Sequence, residues 1–168
     1  MSLAKEIKRN GLRPFRGTYE YYSKYRPRIP EKAINLIIKH FNIGRMDRVL
    51  DLGCGTGQVA LAMADKCGEM VCLDSDSKML IQAKKATKNS KIKLTWIDRR
   101  AEDLGKLKEK LGAFKVATSC RAFHRMNQGQ VLKELDGLIE KDGGVAFFGD
   151  GVLWGGKDEW QQAVKRVI

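Results

Sequence analysis

The sequence has few of the features that define secreted, membrane-spanning or metal-binding proteins. Its 168 residues include only four cysteines. These cysteines show no paired spacing, which argues against a disulfide framework and against a zinc site. No apolar run approaches the ~20 residues of a membrane helix, and no apolar signal segment follows the basic N-terminus. Internal repeats and low-complexity segments are also missing. These absences predict a cytoplasmic protein with reduced cysteines, without a metal site and without a membrane partner.

Positive charge is in excess and is concentrated near the N-terminus. The net charge is +12, and residues 1–45 hold eleven Lys or Arg against three Asp or Glu. Such a segment favours an anionic partner, either nucleic acid or an acidic substrate, and a solvated surface explains it equally well. The length predicts one compact domain. Within it, we expect residues 1–45 to form a basic segment and a helix, and residues 46–168 to form the ligand-binding part.

Short apolar runs alternate with helical patterns along the chain. The runs predict five strands, at 49–52, 69–74, 92–97, 114–119 and 145–148. The helical patterns predict helices at 31–41, 58–66, 76–87 and 131–140, with Ser75 or Asp76 as the cap of the third. Residues 104–111 are lysine-rich and weakly helical. This alternation is typical of βαβ units, which build a mostly parallel sheet with helices on both faces.

A glycine-rich turn joins the first strand to the helix after it. Asp51 precedes the turn Gly53-Cys54-Gly55-Thr56-Gly57, and a helical pattern begins at Gln58. Strand, turn and helix together offer backbone N–H groups to a small polar ligand. Gln58 stands where the dinucleotide motif G-x-G-x-x-G has its last glycine, which argues against an NAD site. Asp74 ends the next strand, at about the ~20-residue distance that a ribose-binding acid requires.

This combination resembles motif I of the class I methyltransferases that depend on S-adenosylmethionine (SAM). The resemblance implies an α/β fold, a three-layer Rossmann-like sheet of about five parallel strands in the order 3-2-1-4-5. It also implies SAM as the cofactor, S-adenosylhomocysteine as the product and an enzyme that methylates a small-molecule acceptor. The cofactor-binding residues that it implies around the turn and the second strand are Asp51, Gly53, Cys54, Gly55, Gly57, Asp74, Ser75 and Met79.

Two further segments carry the same resemblance. The segment Tyr22 to Pro27 (YSKYRP) is similar to a Y-x-x-Y-R-P segment of the ubiquinone/menaquinone-biosynthesis-like methyltransferases (type 11), which folds over the SAM site. It implies Tyr25 and Arg26 as cofactor-binding residues, since a guanidinium pairs well with the methionine carboxylate; a basic surface arm is the competing explanation. Ala101 and Glu102 belong to an A-E-D-L stretch that lies beside the adenine in many of these enzymes. A solvated acidic loop explains that stretch about as well.

The end of the fourth strand supplies the catalytic candidate. Residues 119–124 (SCRAFH) resemble the S-x-x-A-F-H-W stretch of the same group, whose backbone holds the SAM ammonium and whose histidine faces the acceptor. The match implies Ser119 as a cofactor-binding residue and His124 as a catalytic base or as a lining of the pocket. Arg125 replaces the usual aromatic residue. Residues 138–144 (LIEKDGG) are similar to the L-K-P-G-G turn before the fifth strand.

The C-terminal part departs most from the family. Class I methyltransferases have a sixth and a seventh strand, whereas the residues after Phe148 favour a helix or lid. The fifth strand would then expose an edge that a second copy of the chain could cover. Two alternatives to a small-molecule methyltransferase stay open. One is an RNA or protein methyltransferase, which the basic N-terminus favours but the missing N/D-P-P-Y/F motif does not. The other is a SAM-binding domain that is catalytically incomplete.

Overall fold

The computed structural model describes residues 19–149, which form one parallel sheet with helices on both faces. The strands are β1 (Arg48–Leu52), β2 (Glu69–Asp74), β3 (Lys93–Asp98), β4 (Phe114–Cys120) and β5 (Ile139–Phe148). The helices are α1 (Tyr19–Tyr25), α2 (Glu31–Phe41), α3 (Gln58–Ala62), α4 (Ser77–Ala86), α5 (Lys108–Leu111) and α6 (Gln128–Asp136), with short 3₁₀ helices at Ala101–Leu107 and Phe123–Arg125. The strand order is β3-β2-β1-β4-β5 and every pairing is parallel, which confirms the predicted fold class and order.

Side chains on the two faces of the sheet form two separate apolar cores. One core packs α2, α3 and α4 on the sheet, and the other packs the first 3₁₀ helix, α5 and α6 on the opposite face. On the central strand, Val49 belongs to the first core, and Leu50 and Leu52 belong to the second. Because successive strand residues point to opposite faces, Asp51 points to the same face as Val49. The acid is thereby placed on the side of α3 and α4, at the carboxyl end of the sheet.

Side-chain caps fix where two of the helices begin. The Asp76 carboxylate accepts a hydrogen bond from the Lys78 N–H at the start of α4, and the Asn127 side chain accepts one from the Gln130 N–H at the start of α6. Asp76 is one of the two caps that the sequence predicts. Helix α2 begins directly after Pro30, also as predicted.

The predicted boundary between the last helix and the last strand is wrong. Helix α6 begins three residues before Val131 because Asn127 caps it, and it ends at Asp136, just before Gly137. Strand β5 begins at Ile139, so the two glycines of the predicted turn at 138–144 lie inside the strand. A Cβ atom on Gly144 would lie 2.5 Å from Cε1 of Phe41, so glycine is needed there for the close approach of α2.

Other differences from the sequence prediction are smaller. Helix α3 ends at Ala62 instead of Lys66, because the chain turns there toward β2. Leu36 in α2 and Leu61 in α3 are 69% and 47% exposed, although both lie in predicted amphipathic helices. The weakly helical segment predicted at 104–111 is the end of the first 3₁₀ helix together with α5. Helix α1 and the 3₁₀ helix at Phe123–Arg125 lack a clear apolar pattern and are not predicted by the sequence. The predicted C-terminal helix or lid lies outside the described residues.

Within residues 19–149, none of the helices is both long and apolar enough to cross a membrane. Strand β5 pairs with β4 alone among the described strands.

Candidate active site

The glycine turn closes tightly over the carboxyl ends of β1 and β2. The N–H groups of Gly53 and Cys54 donate to the carbonyl oxygen of Leu73 at 2.8 and 3.0 Å. Gly53 has φ +64°, and a Cβ atom there would lie 2.5 Å from Cβ of Ala122. Gly55 and Gly57 have φ +54° and +79°. The turn therefore needs glycine both for its left-handed backbone and for the close approach of the chain after β4.

Asp74 holds the glycine turn to the start of α4. One carboxylate oxygen accepts the Gly55 N–H at 2.8 Å, and the other accepts the Asp76 N–H at 2.9 Å. Burial raises the pKa of Asp74, and these two N–H groups oppose the rise. A carboxylate offers about four acceptor positions. Asp74 can therefore hold the turn and still accept hydrogen bonds from a ligand.

Asp51 is fully buried beneath the turn. Its Oδ1 accepts the Thr118 hydroxyl at 2.8 Å, from the residue directly opposite on β4. Its Oδ2 has no hydrogen-bond partner among residues 19–149. Burial raises the pKa of Asp51 to about 7, the Thr118 hydroxyl opposes the rise, and the nearby charge of Asp74 adds to it. A buried carboxylate oxygen without a donor is costly, so this atom suits a ligand that brings an N–H group or a positive charge.

A small cavity of about 30 Å³ lies against the turn. Four of the predicted cofactor-binding residues line it, namely Asp51, Gly53, Cys54 and Gly55. Six further residues complete the lining: Ile29, Thr56, Gln58, Val59, Cys120 and Arg121. Burial raises the pKa of the Cys54 thiol well above its usual value, and a hydrogen bond with the Cys72 thiol adds to this. Cys54 is therefore a neutral lining group and not a nucleophile.

The chain before α2 lies against the mouth of this cavity. Gln58 donates through Nε2 to the carbonyl oxygen of Arg26 at 3.5 Å. Arg121 donates through Nη1 to Oε1 of Gln58 at 3.2 Å and to the carbonyl oxygen of Pro27 at 3.5 Å. Arg121 has φ +60°, and its N–H donates to Phe148 at 2.8 Å. A left-handed backbone conformation is uncommon for a residue other than glycine, and it often marks a functional position.

Three other predicted residues are buried near the turn or on α4. Ser119 donates its hydroxyl to the carbonyl oxygen of Leu52 at 2.8 Å, which ties the ends of β1 and β4 together. Met79 is buried on α4. Gly57 is buried against α4, where an added Cβ atom would lie 3.1 Å from Cβ of Ala83. Ser75 is exposed at the end of β2.

Four predicted residues make other contacts, outside both the cavity and the glycine turn. Tyr25 is 67% exposed and stacks on Tyr21. The Glu102 carboxylate accepts the Asn127 N–H at 2.9 Å and pairs with Arg100, in an open groove of about 530 Å³ beside α6. Burial alone would raise the pKa of Glu102, but these partners lower it. Ala101 is buried beside Glu102. His124 is exposed and accepts a hydrogen bond at Nε2 from Arg125.

Sequence reasoning missed Thr118, Gln58 and Arg121 as parts of the site. Thr118 carries a usable signal, because it precedes the predicted Ser119 at the end of the strand beside Asp51. Gln58 has a signal only as the residue that replaces the last glycine of the dinucleotide motif. The left-handed backbone of Arg121 has no signal in the sequence.

Comparison with known proteins assigns this arrangement to a family. Residues 49–143 match the family of methyltransferase domains. A probable SAM-dependent methyltransferase of Saccharomyces cerevisiae is 28% identical over 130 residues, which cover 76% of this chain and 44% of that protein.

Solved structures with the same fold include three methyltransferases. A putative SAM-dependent methyltransferase of Methanococcus maripaludis has a TM-score of 0.65 at 17% identity and covers 90% of this chain and 68% of its own. One from Clostridium acetobutylicum has a TM-score of 0.63 at 17% identity, with 80% and 55% covered. One from Thiobacillus denitrificans, in complex with S-adenosylhomocysteine, has a TM-score of 0.56 at 20% identity, with 73% and 50% covered.

The chain spans less than half the length of its yeast relative. The matched residues begin in β1, contain the glycine turn and Asp74, and end inside β5. They make up more than half of the chain, and the chain belongs to the methyltransferase domain family.

Proposed function

We propose that this protein binds SAM at the glycine turn and transfers its methyl group to a small-molecule acceptor. The observation that carries the proposal is the unpaired Oδ2 of the fully buried Asp51, which lines the cavity at the turn. SAM carries an ammonium group that fits such an oxygen, and NAD carries no equivalent group. Membership of the methyltransferase domain family supports the same cofactor.

Different residues around the cavity would bind different groups of the cofactor. Asp51 would pair with the ammonium group, and the remaining acceptor positions of Asp74 would take the ribose hydroxyls. Arg26 lies beside the turn through its backbone, which supports the predicted pairing of its guanidinium with the methionine carboxylate. When bound, SAM supplies an electrophilic methyl group on a sulfonium. Most of the catalysis by the chain is then the positioning of the acceptor near attack distance.

A small-molecule acceptor is favoured by the end of β4. The residues there read Ser119-Cys120-Arg121-Ala122, whereas many enzymes that methylate nucleic-acid bases have N/D-P-P-Y/F at this position. His124 lies two residues after Ala122 and stays the predicted catalytic residue, as a base or as a lining of the pocket. We also propose the cytoplasm as the location, because all four cysteines are free, as is typical of a reducing compartment.

Calorimetry tests the cofactor assignment. We expect SAM and S-adenosylhomocysteine to bind and NAD not to bind. Asp51→Asn should weaken SAM binding at least about tenfold, since it replaces the charged partner of the ammonium group. Asp65→Asn is the matched control, because it removes the same charge from an exposed residue. Absence of SAM binding by the unaltered protein would refute the proposal, and equal affinities of the two variants would refute the role of Asp51.

A methyl-transfer assay tests the acceptor class. Labelled SAM is offered with a panel of small organic molecules, with total RNA and with a protein extract. We expect label in the small-molecule fraction alone. Label in RNA or protein alone would replace the proposed acceptor, and SAM binding without any transfer would favour the incomplete domain.

A further inference from the structure

Helix α4 and the turn after it carry lysines and no acidic residue. Residues 77–91, which are α4 and the turn after it, contain five lysines and no aspartate or glutamate. All five lysines are exposed: Lys78, Lys84, Lys85, Lys88 and Lys91. None of them pairs with a carboxylate in the part of the chain that the structure describes. This surface therefore keeps its full positive charge for a partner.

The helix that packs against α4 carries two exposed tyrosine rings. Helix α1 packs against α4, and Nζ of Lys78 lies 5.3 Å from the centre of the Tyr19 ring. Farther along α1, Tyr21 and Tyr25 are 68% and 67% exposed. Their rings are nearly parallel, at 11°, with centres 6.4 Å apart, and Nζ of Lys24 lies 5.2 Å from the centre of the Tyr25 ring. Flat aromatic faces beside unpaired cations are the two components of surfaces that bind single strands.

From these contacts we propose that α1 and residues 77–91 form a binding surface for single-stranded nucleic acid. Bases stack on Tyr21 and Tyr25, and phosphates approach the lysines of α4. The tyrosines favour a single strand over other polyanions, because a duplex hides the faces of its bases and an acidic peptide has no flat rings to stack. None of these residues lines the cavity at the glycine turn. The strand and the small-molecule acceptor are therefore separate ligands, and this proposal does not depend on the proposed function.

Charge-reversal variants test the electrostatic part. Fluorescence anisotropy with a labelled 20-nucleotide oligouridine should show binding that weakens steeply with salt. We expect Lys84→Glu/Lys85→Glu to reduce the affinity at least about tenfold and to lower the salt dependence. The matched control is Lys110→Glu/Lys133→Glu, which makes the same charge change on α5 and α6, across the sheet. An equal loss in both variants would overturn the proposal, since net charge alone would then explain binding.

Ring variants test the stacking part. Tyr21→Ala/Tyr25→Ala should reduce the affinity at least about fivefold, whereas Tyr21→Phe/Tyr25→Phe should keep it, because phenylalanine retains the aromatic face. Circular dichroism and SAM calorimetry establish that each variant is folded. Unchanged affinity of the alanine variant, equal affinity for a duplex, or binding to phosphatidylglycerol vesicles without binding to the oligouridine would each overturn the proposal.

Discussion

Asp51 makes the stability of the protein depend on pH. Its pKa is about 7 in the folded protein against 3.8 for the free side chain. The folded state therefore holds more protons than the unfolded state between these values, and the free energy of unfolding falls as the pH rises through this window. The fall has a size on the order of 4 kcal/mol by pH 8. Asp74, whose pKa is also raised, contributes in the same direction.

We expect Asp51→Asn to remove most of this dependence. The amide keeps an oxygen for the Thr118 hydroxyl but carries no charge, so it brings no cost at high pH. Urea denaturation at pH 5 and pH 8 measures the difference. An undiminished slope in the variant would show that other groups cause it.

Variants of Asp74 and Asp76 distinguish a loss of SAM binding from a loss of the cap of α4. Asp74→Ala should lose most of the SAM affinity, because it removes both the proposed ribose acceptor and the group that holds Gly55. Asp76→Ala is the matched control, since it removes only the cap of α4, at a cost of about 1 kcal/mol in unfolding free energy. Calorimetry with SAM and urea denaturation measure the two effects. If both variants bind SAM like the unaltered protein, Asp74 serves only the turn.

The two acids could be predicted from the sequence because their spacing follows from the fold. Each ends a parallel strand, and the carboxyl ends of neighbouring strands meet at one edge of the sheet. The hydrogen bonds from Gly55 to Asp74 and from Thr118 to Asp51 could not be predicted, because they join residues 19 and 67 positions apart. The same limit explains why the exposed positions of Tyr25 and His124 were not foreseen.

At the scale of elements, two alanine substitutions in the glycine turn distinguish the cost of steric crowding from the cost of backbone strain. Gly53→Ala would drive a Cβ atom against Ala122, whereas a Cβ atom on Gly55 has no neighbour within 4 Å. Both residues have positive φ. We expect Gly55→Ala to cost about 1 kcal/mol of unfolding free energy from backbone strain alone. Gly53→Ala should cost clearly more, because the chain after β4 must move as well. Equal costs in urea denaturation would contradict this assignment.

The strands were predicted more closely than the ends of the helices. The first four were placed within about a residue because β-branched and apolar runs stop abruptly at Gly or Asp. The start of β5 was misplaced because Ile139 and Glu140 continue the helical pattern of α6. Pairing of Ile139 with Phe114 overrides that local pattern. Tertiary contacts decide such a boundary, and they are not visible in a single segment.

For the whole molecule, the two ends of the sheet differ in function: one carries the ligand site and the other contributes to stability. Ligand-facing groups collect at the carboxyl ends of the strands, and Arg48 ties the amino ends together. Its guanidinium donates to Glu69 at 2.8 Å and to the carbonyl oxygens of Leu111 and Ala113 at 2.7 and 2.9 Å. It also lies 4.6 Å from the centre of the Phe114 ring.

We expect Arg48→Ala to lower the free energy of unfolding by about 2 kcal/mol and to leave the SAM affinity of the folded protein unchanged. Lys93→Ala is the control, because the Lys93 side chain of the ion pair with Glu69 is largely exposed and contributes little. Urea denaturation and calorimetry give the two quantities. A parallel loss of SAM affinity would mean that the two ends of the sheet are coupled.

The contacts of Asp74 and Asp51 can form only in a fixed order during synthesis of the chain, because their partners lie at different distances along the sequence. Gly55 and Asp74 are 19 residues apart, so β1, α3 and β2 can close the turn as soon as they have left the ribosome. Thr118 is 67 residues from Asp51 and is made much later. During synthesis the carboxylate of Asp51 is therefore made before its hydroxyl partner and is accessible to water until Thr118 follows. The hydrogen bonds around Asp51 are therefore completed only when β4 docks beside β1.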